Sequence, residues 1–160
     1  MPSLSASFNP ALGPILSLFL TPPAVLQQAV QAIAAGPQQA PVSVHAAQAL
    51  VDTGASITSV TRQLAQTVGL PLIGMRPLGT AGGVVPANVY LADIAIPFGA
   101  LPIGAPGQQM AANLPAVTIP DVTVMEFQSS SPQFNMLLGR DIISRGMLTI
   151  GFDGRFTFSI

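Results

Sequence analysis

Sixteen prolines and 15 glycines are spread through 160 residues, and no other feature limits the possible folds as strongly. Proline removes a backbone donor and fixes φ, while glycine raises the entropic cost of regular structure, so elements between them stay short. The expectation is a chain of short strands and turns. Between these breaks the residues are strongly apolar. Of the whole, 49% is hydrophobic and 7% charged, against roughly 25% charged in an ordinary soluble domain. That is enough aliphatic side chain for one packed core, and it excludes disorder.

The charges exclude several functions. With five Arg and Lys together, six acids and a net charge of -1, no cationic face exists to neutralise phosphates, so nucleic acid is not an expected partner. The absence of Cys removes disulfides, thiol catalysis and thiolate metal sites, and the single His45 cannot build an imidazole site alone. Zinc catalysis is thereby excluded. The most apolar early run, Pro14 to Leu20, is too short to span a bilayer and follows no basic residue, so a soluble, cytoplasmic chain with no membrane partner is expected.

Along the chain, residues 1–13 show no period and are expected to form a loose arm or an added strand ahead of a domain over 14–160. Ile15 to Leu20 has strand length. Val25, Leu26, Ala29, Val30 and Ile33 share a helical face, which predicts an amphipathic helix over 23–35. A strand region beginning at Val42 to Val44 passes His45, expected as a loop residue before the strand, and runs through Gln48–Val51 into Asp52. Val60, Leu64 and Val68 recur every fourth residue ahead of Gly69 and Pro71, predicting a helix over Thr61–Val68. Met75 to Ile96 reads as a long hairpin with a glycine tip. Residues 97–116, rich in Pro and Gly, read as a surface excursion. Strands are expected over Val117–Phe127 and Phe134–Leu138, then one or two helical turns, then a hairpin about Asp153-Gly154.

In a chain this poor in charge each acid needs a reason. Asp153 suits its hairpin turn, Asp121 a turn or strand edge, and Asp93 and Glu126 solvent-facing positions. Asp141 suits a helix start and can hold an Arg. Asp52 differs. Ala49-Leu50-Val51 leads it toward the interior, and Thr53, Gly54 and Ser56 supply the hydroxyl and backbone donors that a buried carboxylate needs.

The segment Ala49-Leu50-Val51-Asp52-Thr53-Gly54-Ala55-Ser56 resembles the signature of aspartic proteases, specifically the single-domain retroviral-type (retropepsin-like) class in its cellular and bacterial members. Thr80-Ala81-Gly82-Gly83 is similar to that family's glycine-tipped flap. Met136-Leu137-Leu138-Gly139-Arg140-Asp141-Ile142-Ile143 resembles its C-terminal apolar strand, Gly-Arg-(Asn/Asp) element and short helix. The resemblance spans about Val42 to Ile160. It implies a mostly β, acid-protease-like closed or curled barrel with two or three short helices, cleaving an extended peptide or protein substrate.

In that reading Asp52 is catalytic and Thr53, Gly54, Ala55 and Ser56 form its turn. Thr80, Ala81, Gly82 and Gly83 cover the substrate, and Gly139, Arg140 and Asp141 are structural. Water is the nucleophile, so neither a metal nor an organic cofactor is implied. The chemistry needs two carboxyls sharing one proton, and this chain has one Asp-Thr-Gly, so the resemblance implies a homodimer with two copies of Asp52 meeting on a two-fold axis. It also implies that the terminal strand Arg155–Ile160 pairs between subunits. Ser56 departs from the pattern, because retroviral members commonly carry there an Asp that pairs with the motif Arg, and Arg140 must find another partner. The alternative is a non-catalytic homodimeric peptide-binding or scaffolding module on the same fold.

Overall fold

A computed structural model describes residues 1–24, 28, 44–80, 82–98 and 116–160. Among them run ten strands, β1 (Ser3–Ser7), β2 (Ile15–Thr21), β3 (His45–Val51), β4 (Ser59–Thr61), β5 (Leu72–Thr80), β6 (Gly83–Pro97), β7 (Ala116–Phe127), β8 (Met136–Leu138), β9 (Met147–Ile150) and β10 (Arg155–Ser159). Two bounded helices accompany them, α1 (Arg62–Val68) and α2 (Arg140–Ile143).

Six strands close a barrel in the order β2-β3-β8-β4-β7-β6, because β6 pairs with β7 on one side and β2 on the other; β5 extends from β6 as a seventh strand. Alternation builds this wall. In β2, Leu16, Leu18 and Leu20 are buried while Ile15, Ser17 and Phe19 between them are half-exposed, so one face of the pleat points into the core. Ala47, Ala49, Ile94, Ile96, Val124, Met136, Leu138 and Ile142 fill the same interior. Small alanines alternating with larger aliphatics let the six strands close around a filled interior.

The short β8 lies between β3 and β4, parallel to one and antiparallel to the other. It thus threads the two strands joined by residues 52–58, and that threading positions the Asp52 loop. Helix α1 follows the sequence reading closely: Thr61 caps it through its side chain and Gly69 ends it at φ 74.

A separate three-stranded sheet, β1-β10-β9, packs beside the barrel through Phe156 and Phe158. Here the structure corrects the expectation for the chain end. Strand β10 has β1 on one side and β9 on the other, so it is central, and the open edges belong to β1 and β9. Residues 1–13 supply the added strand, β1.

Asp93 also departs from expectation. It is 1% exposed, lying opposite a bulge where Pro120 and Asp121 face it alone. Its Oδ1 accepts the Asp121 N–H at 2.8 Å, and Asp121 takes φ 53 to present that donor. Asp93 Oδ2 and the Oγ1 of its cross-strand partner Thr21 are buried with no hydrogen-bond partner. Burial pushes the Asp93 carboxyl above its usual value, with the Asp121 charge adding and the Asp121 N–H opposing.

Of the helix expected over 23–35, Pro23, Ala24 and Gln28 are helical and the rest lies outside the described residues, as do Val42 and most of the 97–116 excursion. His45 opens β3, half-buried, and is not a loop residue. No helix among the described residues is long and apolar enough to cross a membrane.

Candidate active site

Where β3 ends, the Asp52 N–H still donates to Leu138 O at 3.0 Å, so the parallel ladder with β8 carries the chain up to the candidate carboxylate. The backbone then turns, with Ala55 N–H donating to Asp52 O at 3.2 Å. Asp52 Oδ1 accepts both the Gly54 N–H at 2.9 Å and the Ala55 N–H at 3.2 Å. No described residue donates to Oδ2. Thr53, Gly54 and Ser56 are exposed and Asp52 and Ala55 half-buried, so the turn faces open space. Gly54 leaves room for the carboxylate, since a Cβ there would sit 3.1 Å from Asp52 Oδ1 and press it aside.

Behind the turn, α2 braces the loop. Arg140 N–H donates to Ala55 O at 2.9 Å. The Asp141 carboxylate accepts from Thr58 N–H at 2.9 Å and Thr58 Oγ1 at 2.8 Å, and that hydroxyl in turn accepts the Gly139 N–H at 3.1 Å. Thr58 is fully buried. A Cβ on Gly139 would lie 2.5 Å from Ile57 C and 2.7 Å from Thr58 N, so only glycine lets α2 approach this closely. Of the expected structural trio, then, Gly139 and Asp141 brace the loop by close approach and by carboxylate. Arg140 contributes its backbone, and its exposed guanidinium makes no hydrogen bond or ion pair among the described residues.

A cleft of about 760 Å³ opens over this loop. Its floor includes Asp52, Gly54, Ala55, Ser56 and Ile57; the β5–β6 hairpin forms one wall with Leu78, Thr80 and Val85, and the end of β7 another with Met125 and Phe127. The hairpin matches the expected one, paired from Leu72 and Tyr90 to Thr80 and Gly83 with a register shift between Leu72 and Gly74. Thr80 Oγ1 closes the tip by donating to Gly83 O at 2.8 Å. Thr80, Gly82 and Gly83 are exposed there, and Ala81 lies outside the described residues.

Among the described residues one other carboxylate lines the cleft, and the sequence reading placed it in solvent. Glu126 is instead 10% exposed and ion-paired with Arg62 at 2.8 Å. It also accepts from Asn88 at 2.9 Å and the Tyr90 hydroxyl at 2.7 Å. Burial pushes its carboxyl up, but hydrogen bonds from Arg62, Tyr90 and Asn88, with the Arg62 charge, outweigh burial and leave it below its usual value. The Tyr90 hydroxyl is pushed up, by burial first and then by its bond to Glu126. The readable signal for this cluster was small: Glu126 is the only Glu in the chain, and Asn88 and Tyr90 share a strand face.

The cleft therefore offers one carboxylate with a free oxygen, on a braced turn, under a hairpin and between apolar walls. Such a group can take or give a proton to water, and a second carboxyl beside it would allow both at once. Among the described residues no group of His, Asp or Glu is arranged to hold a metal ion.

The sequence matches the family model described as aspartyl protease over residues 39–142. Among solved structures the chain is similar to a retropepsin-like aspartic protease from Rickettsia conorii, at 16% identity with a TM-score of 0.59, covering 98% of this chain and 89% of that one. No curated protein matches it.

Proposed function

Since the chain belongs to the aspartyl protease family, we propose that it is an endopeptidase acting on extended peptide segments, with Asp52 as the catalytic carboxyl and a second copy of the chain supplying the other. The observation that carries this reading is the division between the two cleft carboxylates. Glu126 is consumed by donors on both oxygens, whereas Asp52 keeps Oδ2 without a donor among the described residues.

A single carboxyl cannot be ionised and protonated at once. Two in contact share one proton, because two adjacent negative charges repel. The ionised member takes a proton from water as the oxygen attacks the peptide carbonyl carbon, and the protonated member polarises the carbonyl oxygen. Transfer of a proton to the amide nitrogen then lets the C–N bond break, leaving a carboxylic acid and an amine. Thr53, Gly54, Ala55 and Ser56 hold the turn, and Thr80, Gly82 and Gly83 lie over the substrate backbone. The open edge of β9, with Met147 and Ile150 exposed, supports association with a second copy.

The test is cleavage of a mixed peptide library by wild type and Asp52→Asn side by side, with folding and sedimentation measured on both. Asn keeps the Oδ1 acceptor for Gly54 and Ala55, so the variant is expected to fold and to lose cleavage. A folded Asp52→Asn that cleaves as wild type does would end the proposal.

A further inference from the structure

The Glu126 cluster lies where the β5–β6 hairpin leaves the barrel. The β6–β7 ladder ends at Val89 and Met125, and from Asn88 to Gly83 the strand is paired with β5 alone. One residue past the last rung, Glu126 gathers four donors. Arg62 Nε and Nη2 reach Oε1 at 2.9 and 2.8 Å, and Asn88 Nδ2 and the Tyr90 hydroxyl reach Oε2 at 2.9 and 2.7 Å. Side-chain bonds take over where the backbone ladder stops.

These donors come from two directions. Arg62 opens α1, while Asn88 and Tyr90 flank the departure point on one face of β6. With Arg62 64% exposed, the ion pair by itself would be weak, because water screens it and the long side chain loses entropy. The shielded bonds to Asn88 and Tyr90 are the ones that tie the hairpin strand itself, and bonds to an ionised acceptor are the stronger kind.

We propose that Glu126 is a positioning residue that fixes the root of the β5–β6 hairpin to the cleft wall, and so sets how closely the hairpin stands over Asp52. This rests on the peptidase reading, in which the hairpin covers the substrate. Without the tie, the hairpin keeps its pairing with β5 but hinges on the Val89–Met125 rung. An extended substrate must then order a looser cover. That cost falls on binding, while the carboxyl chemistry on the braced Asp52 loop proceeds at its former rate.

The test uses Glu126→Gln, Tyr90→Phe and Arg62→Ala in the full chain, read by amide hydrogen exchange and by peptidase kinetics. Tyr90 does not line the cleft, so its effect cannot come from lost substrate contact, and Arg62 is exposed enough to replace without loss of fold. Exchange over Gly83–Asn88 is expected to quicken about three- to tenfold in Glu126→Gln and Tyr90→Phe, with β3 and β8 unchanged and Arg62→Ala in between. KM is expected to rise by a similar factor with kcat within about twofold. Unchanged hairpin exchange in all three variants overturns the proposal, as does a fall in kcat at constant KM. A wild type that cleaves nothing would instead remove the peptidase reading, and exchange would still decide whether Glu126 ties the hairpin.

Discussion

Replacing Asp141 by Ala separates the two residues that the sequence offers as braces for the active loop. The substitution removes the acceptor for both Thr58 donors, at 2.9 and 2.8 Å. Thr58 is 0% exposed, so its donors do not already reach water. Its hydroxyl can turn its proton elsewhere while still accepting from Gly139, but its N–H is left buried without a partner, at about 1–3 kcal/mol. Adding the lost charge-assisted bond from the hydroxyl brings the cost to about 2–4 kcal/mol. For a chain of this size that corresponds to a melting point lower by roughly 5–12 °C. Asp141→Asn keeps one acceptor oxygen and is expected to cost about half as much. Arg140→Ala removes an exposed side chain with no partner among the described residues, and is expected to stay within about 0.5 kcal/mol of wild type. Thermal melts followed by circular dichroism measure all three. An Asp141→Ala protein that melts with wild type, or an Arg140→Ala protein that loses as much, would refute the assignment of the brace to the carboxylate.

Two other perturbations follow from the same geometry. Burial raises the Asp93 carboxyl above its ordinary value, so its contribution to stability is full below the ordinary carboxylate range and is lost as pH rises through its raised folded value. Asp93→Asn keeps an acceptor for Asp121 without a charge, so its melting point at neutral pH should exceed that of wild type while the two converge in acid; parallel curves would contradict this. Gly139→Ala drives a Cβ to 2.5 Å from Ile57 C, which costs about 1–3 kcal/mol or more because backbone must move. Activity should fall further than stability, as paired melts and cleavage assays would register.

What the sequence made legible was local. Helix α1 was bounded within a residue because its cap, its four-residue period and its terminal glycine are all neighbours in sequence. The Asp52 turn was readable for the same reason, since an apolar strand feeds directly into a carboxylate followed by small and hydroxylated residues. Asp93 and Glu126 were misread because their partners are remote. Asp121 lies 28 positions from Asp93, and Arg62 lies 64 from Glu126, and no periodicity encodes such pairings. Strand β10 alternates in the same way whether it is an edge or a centre; the alternation showed a strand, and only β1 and β9 show that both its sides are filled. Arg140 and Asp141 are adjacent in sequence, and only the packing of α2 behind the Asp52 loop decides which side chain turns inward.

The central claim is that two copies of Asp52 form one site, and subunit mixing tests it most directly. Wild type and Asp52→Asn are combined at equal concentration, allowed to exchange subunits, and assayed on one peptide. If each site needs both carboxyls, only the wild-type pairs cleave, and activity per total dimer falls to about one quarter of the pure wild-type value. If each chain acts alone the mixture retains about one half, and that result would contradict the account.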